Sequence, residues 1–145
     1  IGQGFFLSTP LQAVTMMSVI ANGGNLVTPH LIKRIGDSDI TCPKAKSVGL
    51  KETVRQKVRE GMYKVVNDEG GTGKNARVKG TVVAGKTGTA ENPQGRTHAW
   101  FSGYAPYDNP KICLVVFLEH GGHGGLEPAT IAKGIFEEAK KKGCF

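Results

Sequence analysis

The tetrapeptide at residues 86–89 places one cation and two hydroxyl groups at the end of an apolar segment. Because strand residues alternate between faces, Thr87 and Thr89 share one face and Lys86 takes the other. A cation and hydroxyl donors suit a substrate that ends in a carboxylate, and acyl transfer also needs backbone N–H groups directed at the oxyanion. Gly88 allows close approach of substrate or neighbouring backbone. All these groups serve one site only if the strand is a sheet edge that lines a cleft, where a peptide can add as a further strand.

Lys-Thr-Gly after a strand is the substrate-side motif of serine acyl-transfer enzymes that act on β-lactams and peptidoglycan peptides. Those enzymes also need a Ser-x-x-Lys nucleophile motif, and no such tetrapeptide occurs in the 145 residues. We therefore expect the second half of a catalytic domain. The simpler alternative is that residues 86–89 are the polar end of a strand entering a turn.

The same stretch also satisfies the phosphate-loop pattern G-x-x-x-x-G-K-[ST], from Gly80 to Thr87. A phosphate loop needs a helix directly after its lysine, so that backbone amides surround the phosphate. Here the interior positions are Thr-Val-Val-Ala, which favour a strand, and Pro93 leads into a turn. A nucleotide site is therefore not expected.

Composition indicates one soluble domain with a basic surface. The chain is 39% hydrophobic and 21% charged, with a net charge of +7, and its length suffices for its own core. Lys and Arg are spread without interleaved aromatics, so no nucleic-acid partner is expected. The three cysteines form no disulfide framework, and Cys113 is a predicted core residue. No apolar run is long enough to span a membrane, and the chain opens without Met, so any anchor is expected upstream.

Periodicity predicts three helices and a meander of three strands. A helix with Thr9 as N-cap and Pro10 at its first position is apolar nearly all round, which predicts burial on most faces. The pattern further predicts an extended segment broken at Pro29, a helix over 50–66, a flexible loop over 67–80, strands within 81–90, 97–106 and 110–120, and a last helix from Pro128. The predicted fold class is α/β of the α+β type, with an antiparallel sheet flanked by helices.

Three histidines near the last strands are weaker candidates. His98, His120 and His123 have no helix to fix metal-binding geometry, so we expect no metal and no cofactor. His123 lies between two glycine pairs and is the stronger functional candidate at a cleft rim, with no role assigned. Trp100 and Phe101 begin a strand and are predicted core residues.

Taken together, these motifs resemble the transpeptidase domain of class B penicillin-binding proteins, nearest to those of the cell-elongation machinery. The matching segments stand in family order over nearly the whole length: IGQGFFLSTPLQAVTMMSVIANGG (1–24), PHL (29–31), VAGKTGTAEN (83–92), HAWFSGYAPYDNPKICLVVFLEHGGHGG (98–125) and the closing helix. The resemblance implies a partial penicillin-binding-protein or serine β-lactamase-like transpeptidase fold. Residues 1–145 would be the C-terminal part of a single domain, whose nucleophile-bearing half lies upstream.

The resemblance implies serine D,D-transpeptidation, which cross-links peptidoglycan stem peptides ending in D-Ala-D-Ala, and acylation by β-lactam antibiotics. Lys86 would stabilise charge beside the nucleophile. Thr87 and Thr89 would bind the terminal carboxylate, with Gly88 in the same substrate-binding strand, and the Thr89 N–H would be one of two oxyanion donors. The implied setting is the periplasmic face of the inner membrane, with an N-terminal anchor and cell-elongation partners in the full-length protein.

Two other functions remain open at the level of sequence. A class D-like β-lactamase or β-lactam sensor shares the Lys-Thr-Gly chemistry, although the TPLQ and GGHGG segments argue against it. A non-catalytic module could instead recognise peptides by strand addition at the edge formed by residues 86–89.

Overall fold

The computed structural model describes Gly4 and residues 6–145, so most of the IGQG segment lies outside the described part. A three-stranded antiparallel sheet carries helices on both faces, which confirms the predicted fold class. None of the described helices is long and apolar enough to cross a membrane. In chain order the elements are α1 (Pro10–Ala21), β1 (Asn25–Leu26), β2 (Arg34–Ile35), β3 (Ser38–Asp39), β4 (Lys46–Ser47), α2 (Glu52–Asn67), a 3₁₀ turn (Lys74–Ala76), β5 (Ala84–Ala90), β6 (His98–Ala105), β7 (Ile112–Leu118) and α3 (Glu127–Lys141).

The main sheet is a meander in the order β5-β6-β7, as predicted. Thr87 lies opposite Phe101, which in turn lies opposite Val116. The predicted first strand was expected from Thr81, but β5 begins only at Ala84. Thr81 pairs instead with Val78 across a turn whose Gly80 has φ 70°, a conformation that glycine adopts without strain.

Two apolar clusters lie on opposite faces of this sheet. The first joins α3 to inward residues of β6 and β7, including the fully buried Phe136 and Phe101. The second joins α1 to the other face, around Tyr104 and Met17. Helix α2 packs against β5 and contributes to both clusters, Val66 to the first and Met62 to the second. The start of β5 is therefore buried from both sides, while its later residues are not.

The start of α1 is fixed by a capping box, which confirms the predicted N-cap. The Thr9 hydroxyl accepts from the backbone N–H of Gln12, and the Gln12 side chain accepts from the backbone N–H of Thr9. Pro10 occupies the first helical position, where its missing N–H costs nothing.

The expectation that α1 is buried on most faces is wrong for this chain. Only Met17 and Ala21 are buried, whereas Leu11 and Met16 are each 59% exposed. The outward face, together with Leu26 and Pro29, lines an apolar groove of about 490 Å³. The helix is apolar all round, but the sheet covers only one of its sides.

The segment after α2 was predicted to be a flexible loop, but it is packed and hydrogen-bonded. It contains the 3₁₀ turn, whose Ala76 is fully buried. The Arg77 guanidinium donates to the carbonyls of Val66, Asn67 and Asp68 at 2.7–2.9 Å, and so satisfies the free carbonyls at the end of α2. The glycine content that suggested flexibility instead permits close packing, as described below.

Two glycines of α3 give a matched test of helix stability. Gly134 is in the helix, and a Cβ built on it meets nothing within 4 Å, whereas Gly143 follows the helix with φ 72°. We expect Gly134→Ala to raise the free energy of unfolding by about 0.5–1 kcal/mol, because alanine loses less backbone entropy. Gly143→Ala should lower it, since alanine is strained at positive φ. Urea unfolding of both variants checks the opposite signs, and equal effects would contradict the assignment.

Cys113 is half-buried against the cluster under α1, and burial raises the pKa of its thiol to about 11. The thiol therefore stays protonated and unreactive below about pH 11, because the thiolate is the nucleophile. Cys42 and Cys144 are exposed. We expect iodoacetamide at pH 8 to alkylate both exposed thiols well before Cys113, as read by peptide mass spectrometry. Alkylation of all three at one rate in the folded chain would contradict this packing.

Candidate active site

The predicted site strand β5 lies at one edge of the three-stranded sheet, as its proposed chemistry requires. Its first residues, Ala84 and Gly85, are fully enclosed, but Lys86 and Thr89 are exposed and Thr87 is half-buried. Burial decreases along the strand because α2 and the two clusters cover only its start. The polar residues of the motif are thus presented at the uncovered end of an edge strand.

Lys86 and the two threonines lie on opposite faces of the strand, as alternation predicts. Thr87 and Thr89 lie on the face shared with Phe101, which packs against α3. Lys86 lies on the other face, and its Nζ donates to the carbonyl oxygen of Thr87 at 2.6 Å. The ammonium group therefore reaches the strand's own backbone from the face opposite the hydroxyl groups.

The hydroxyl-bearing face forms one wall of a pocket of about 470 Å³. Two of its lining residues, Thr87 and Thr89, come from β5, and the rest come from the two loops described next: Thr72, His123, Gly125 and Leu126. The structure thus brings His123 beside the threonines, at the position expected of a residue on a cleft rim. Two hydroxyls and an imidazole facing an open pocket suit an anionic ligand such as a carboxylate.

Thr72 was not identified as a site residue from the sequence. Its Oγ1 lies 2.8 Å from the Oγ1 of Thr87, so the two hydroxyl groups share a hydrogen bond between residues fifteen positions apart. The one sequence signal is that Thr72 stands between Gly71 and Gly73 in a run that resembles a flexible linker. Composition cannot distinguish such a run from a loop held by close contacts.

The glycine-rich loop before α3 lies flat against the site strand. A Cβ on Gly124 would fall 2.1 Å from the carbonyl oxygen of Trp100 and 2.4 Å from that of Gly88. A Cβ on Gly125 would fall 2.3 Å from the carbonyl oxygen of Thr72. These distances exclude any side chain, so backbone packs on backbone at Gly88, as expected for that glycine.

The phosphate-loop pattern has no structural counterpart. Gly85, Lys86 and Thr87 continue as strand to Ala90, and no helix follows them. A Cβ on Gly85 would fall 2.6 Å from the Phe101 ring, so this glycine provides room for the core. The structure therefore supports the rejection of a nucleotide site.

His98 and His120 lie together, apart from the threonine pocket. The His120 backbone N–H donates to His98 Nδ1 at 3.1 Å, and the two rings lie 5.0 Å apart. His120 Nδ1 lies 3.0 Å from the Arg96 carbonyl oxygen, so these nitrogens have structural partners. Among the described residues, no group of three or more His, Cys, Asp or Glu side chains is placed to hold a metal ion.

The predicted aromatic core residues divide between the two faces of the sheet. Phe101 is fully buried under α3, as predicted. Trp100 points to the other face, where it is half-buried and stacks at 4.3 Å on Phe117. A Cβ on Gly88 would lie 3.2 Å from the Trp100 Cβ, so the motif glycine also leaves space for this indole.

Strand edge, opposed lysine and threonines, and a flat glycine loop together define the substrate-side wall of an acyl-transfer fold. Residues 1–137 match the family described as the penicillin binding protein transpeptidase domain, and the chain belongs to that family.

Three known proteins show the extent of the similarity. The peptidoglycan D,D-transpeptidase MrdA of Haemophilus influenzae is 36% identical, with 94% of this chain and 24% of the relative covered. Penicillin-binding protein A from M. tuberculosis, solved as an imipenem acyl-enzyme complex, matches with a TM-score of 0.81 and 31% identity over 97% of this chain and 32% of that one. Helicobacter pylori PBP2, solved in complex with MreC, matches at 0.73 and 35% over 97% and 26%. The chain spans about a quarter of the curated relative's length.

The fit of Gly124 against β5 gives a prediction for the site. A methyl group at residue 124 must displace the loop from Gly88 and Trp100, because no flexible side chain is there to yield. We expect Gly124→Ala to lower the free energy of unfolding by about 1–3 kcal/mol, the usual cost of overpacking. It should also shift the amide NMR signals of Thr87 and Thr89. Gly134→Ala, with open space around it, is the matched control, and a Gly124→Ala chain as stable as this control would contradict the packing.

Proposed function

We propose that this chain forms the substrate-side wall of a serine D,D-transpeptidase, which cross-links peptidoglycan stem peptides ending in D-Ala-D-Ala. The observation that carries the proposal is the pair Thr87 and Thr89, which face one pocket at the uncovered end of an edge strand. Membership of the penicillin-binding protein transpeptidase family supports the reaction class. The serine nucleophile and its lysine base come from an upstream segment, since the chain has no Ser-x-x-Lys.

In this proposal the threonine pocket holds the terminal carboxylate of the substrate. The hydroxyls of Thr87 and Thr89 donate to it, and hydrogen bonds to an ionised acceptor are about twice as strong as neutral ones. His123, in the same pocket, stands close enough to contact the leaving residue. Gly88 keeps the strand close to the loop behind it and so fixes the two hydroxyls relative to each other.

The scissile carbonyl lies further along the same strand edge. The backbone N–H of Thr89 supplies one of two oxyanion donors when the serine attacks and D-Ala leaves. Lys86 extends from the opposite face, which carries α1 and α2, and there it stabilises charge beside the nucleophile. Strand alternation thus separates two tasks, with carboxylate binding on one face and support of the nucleophile on the other.

The same chemistry makes β-lactam antibiotics suicide substrates, because they present a strained amide and a carboxylate in similar positions. The imipenem acyl-enzyme of the M. tuberculosis relative supports this proposal. The complex of the H. pylori relative with MreC supports cell-elongation proteins as partners of the full-length protein. Peptidoglycan lies outside the cytoplasmic membrane, so we propose an extracytoplasmic site of action with an anchor upstream of these residues.

Fluorescent penicillin tests the division of labour. We expect the 145-residue chain alone to remain unlabelled, because it has no Ser-x-x-Lys. The full-length gene product that contains the chain should be labelled with one penicillin per molecule. Gel fluorescence and intact-mass spectrometry measure both. Stoichiometric labelling of the isolated chain, or none of the full-length product, would contradict the proposal.

The lifetime of the label separates the alternatives. A transpeptidase holds the penicilloyl ester for much longer than a β-lactamase, which releases it by hydrolysis. The decay of labelled full-length protein after removal of free penicillin measures this rate. Rapid decay with turnover of the drug would favour the β-lactamase reading. A full-length product that binds D-Ala-D-Ala peptides without acylation would favour the peptide-binding module.

A further inference from the structure

Thr72 lies on a loop that is held in place from two sides. A Cβ on Gly71 would fall 2.4 Å from the carbonyl oxygen of Val65, so the loop rests directly on the last turn of α2. The backbone N–H of Gly73 donates to the same carbonyl at 2.8 Å. On the other side, Gly125 packs on the carbonyl oxygen of Thr72.

Further hydrogen bonds tie this loop to its neighbours. The Asn75 side chain donates to the carbonyl oxygen of Gly125 at 2.9 Å, which links the 3₁₀ turn to the loop before α3. Lys74 Nζ donates to the carbonyl oxygen of Glu69 at 2.7 Å. The position of the Thr72 hydroxyl is therefore set by backbone contacts and does not depend on the substrate.

The hydrogen bond between Thr72 and Thr87 has a consequence for its direction. A threonine hydroxyl donates one hydrogen bond and accepts up to two. If Thr87 is to donate to a carboxylate, its oxygen can only accept from Thr72. The 2.8 Å contact then orients the Thr87 proton into the pocket, and chains of hydrogen bonds polarise one another.

We propose that Thr72 is a positioning residue that donates to Thr87 and so directs the Thr87 hydroxyl towards a carboxylate ligand. This inference rests on the proposed function, because it concerns the carboxylate-binding threonine of that site. Thr72 does not take part in bond making. It confers selectivity for ligands that carry a carboxylate over uncharged analogues of the same shape.

The test measures second-order acylation rates of the full-length gene product with a penicillin and with its methyl ester. We expect Thr72→Val to slow acylation by the free acid about three- to tenfold, the value of one hydrogen bond. Thr72→Ser should restore the rate. Acylation by the ester should change less than about twofold, because the ester carries no charge for Thr87 to bind. Thr53→Val, an exposed threonine of α2, is the control for the substitution itself.

A double-mutant cycle tests whether Thr72 acts through Thr87. On a Thr87→Val background, Thr72→Val should cause no further loss, since the hydroxyl that it orients is gone. Neighbouring glycines provide a second test. Gly71→Ala should shift Thr72 and slow acylation by the acid, whereas Gly70→Ala, with nothing within 4 Å of its Cβ, should not.

The outcomes distinguish the two proposals. If the unmodified protein is not acylated, the proposed function fails and the role of Thr72 fails with it. If it is acylated but Thr72→Val matches Thr72→Ser, only the role of Thr72 is overturned. If Thr72→Val slows acid and ester equally, or lowers the thermal midpoint in step with the rate, Thr72 is merely structural and the proposal is overturned.

Discussion

Backbone packed against backbone is the constraint on which the site depends. Gly124 lies against the paired carbonyls of Gly88 and Trp100 at distances that leave no room for a side chain. This contact brings the loop before α3 down onto the edge strand. Through Gly125 it also reaches the carbonyl of Thr72, so three segments distant in sequence converge on one short piece of β5. Interiors packed to this density have few ways to yield, so small displacements at any of the three would reach the others.

The arrangement also explains why one strand can serve two purposes. The hydroxyls of Thr87 and Thr89 face the pocket on the α3 side, while Lys86 reaches back from the other face to the Thr87 carbonyl. The buried start of β5 holds the strand in register, because Ala84 and Gly85 are enclosed by both apolar clusters. The polar end is therefore rigidly placed yet uncovered, which suits a group that must meet a substrate.

The uncovered surfaces are informative in the same way. Helix α1 presents Leu11 and Met16 at the rim of an apolar groove, although its sequence is suited to burial on every side. The chain covers 24% of the MrdA relative and 32% of the chain of M. tuberculosis penicillin-binding protein A. An apolar helix face of this kind is typical of an element that packs inside a larger domain.

The sequence by itself determined the elements and the strand that carries the motif. Local signals sufficed for these, namely the capping pair at Thr9, the helical periods and the apolar strands separated by short turns. Only the tertiary structure decided what surrounds the motif. The bond between Thr72 and Thr87 joins hydroxyls fifteen residues apart, and the contact between Gly88 and Gly124 spans an even longer stretch of chain. No local pattern encodes such distances, because a glycine that permits close packing and a glycine in a flexible turn look alike until the chain has folded.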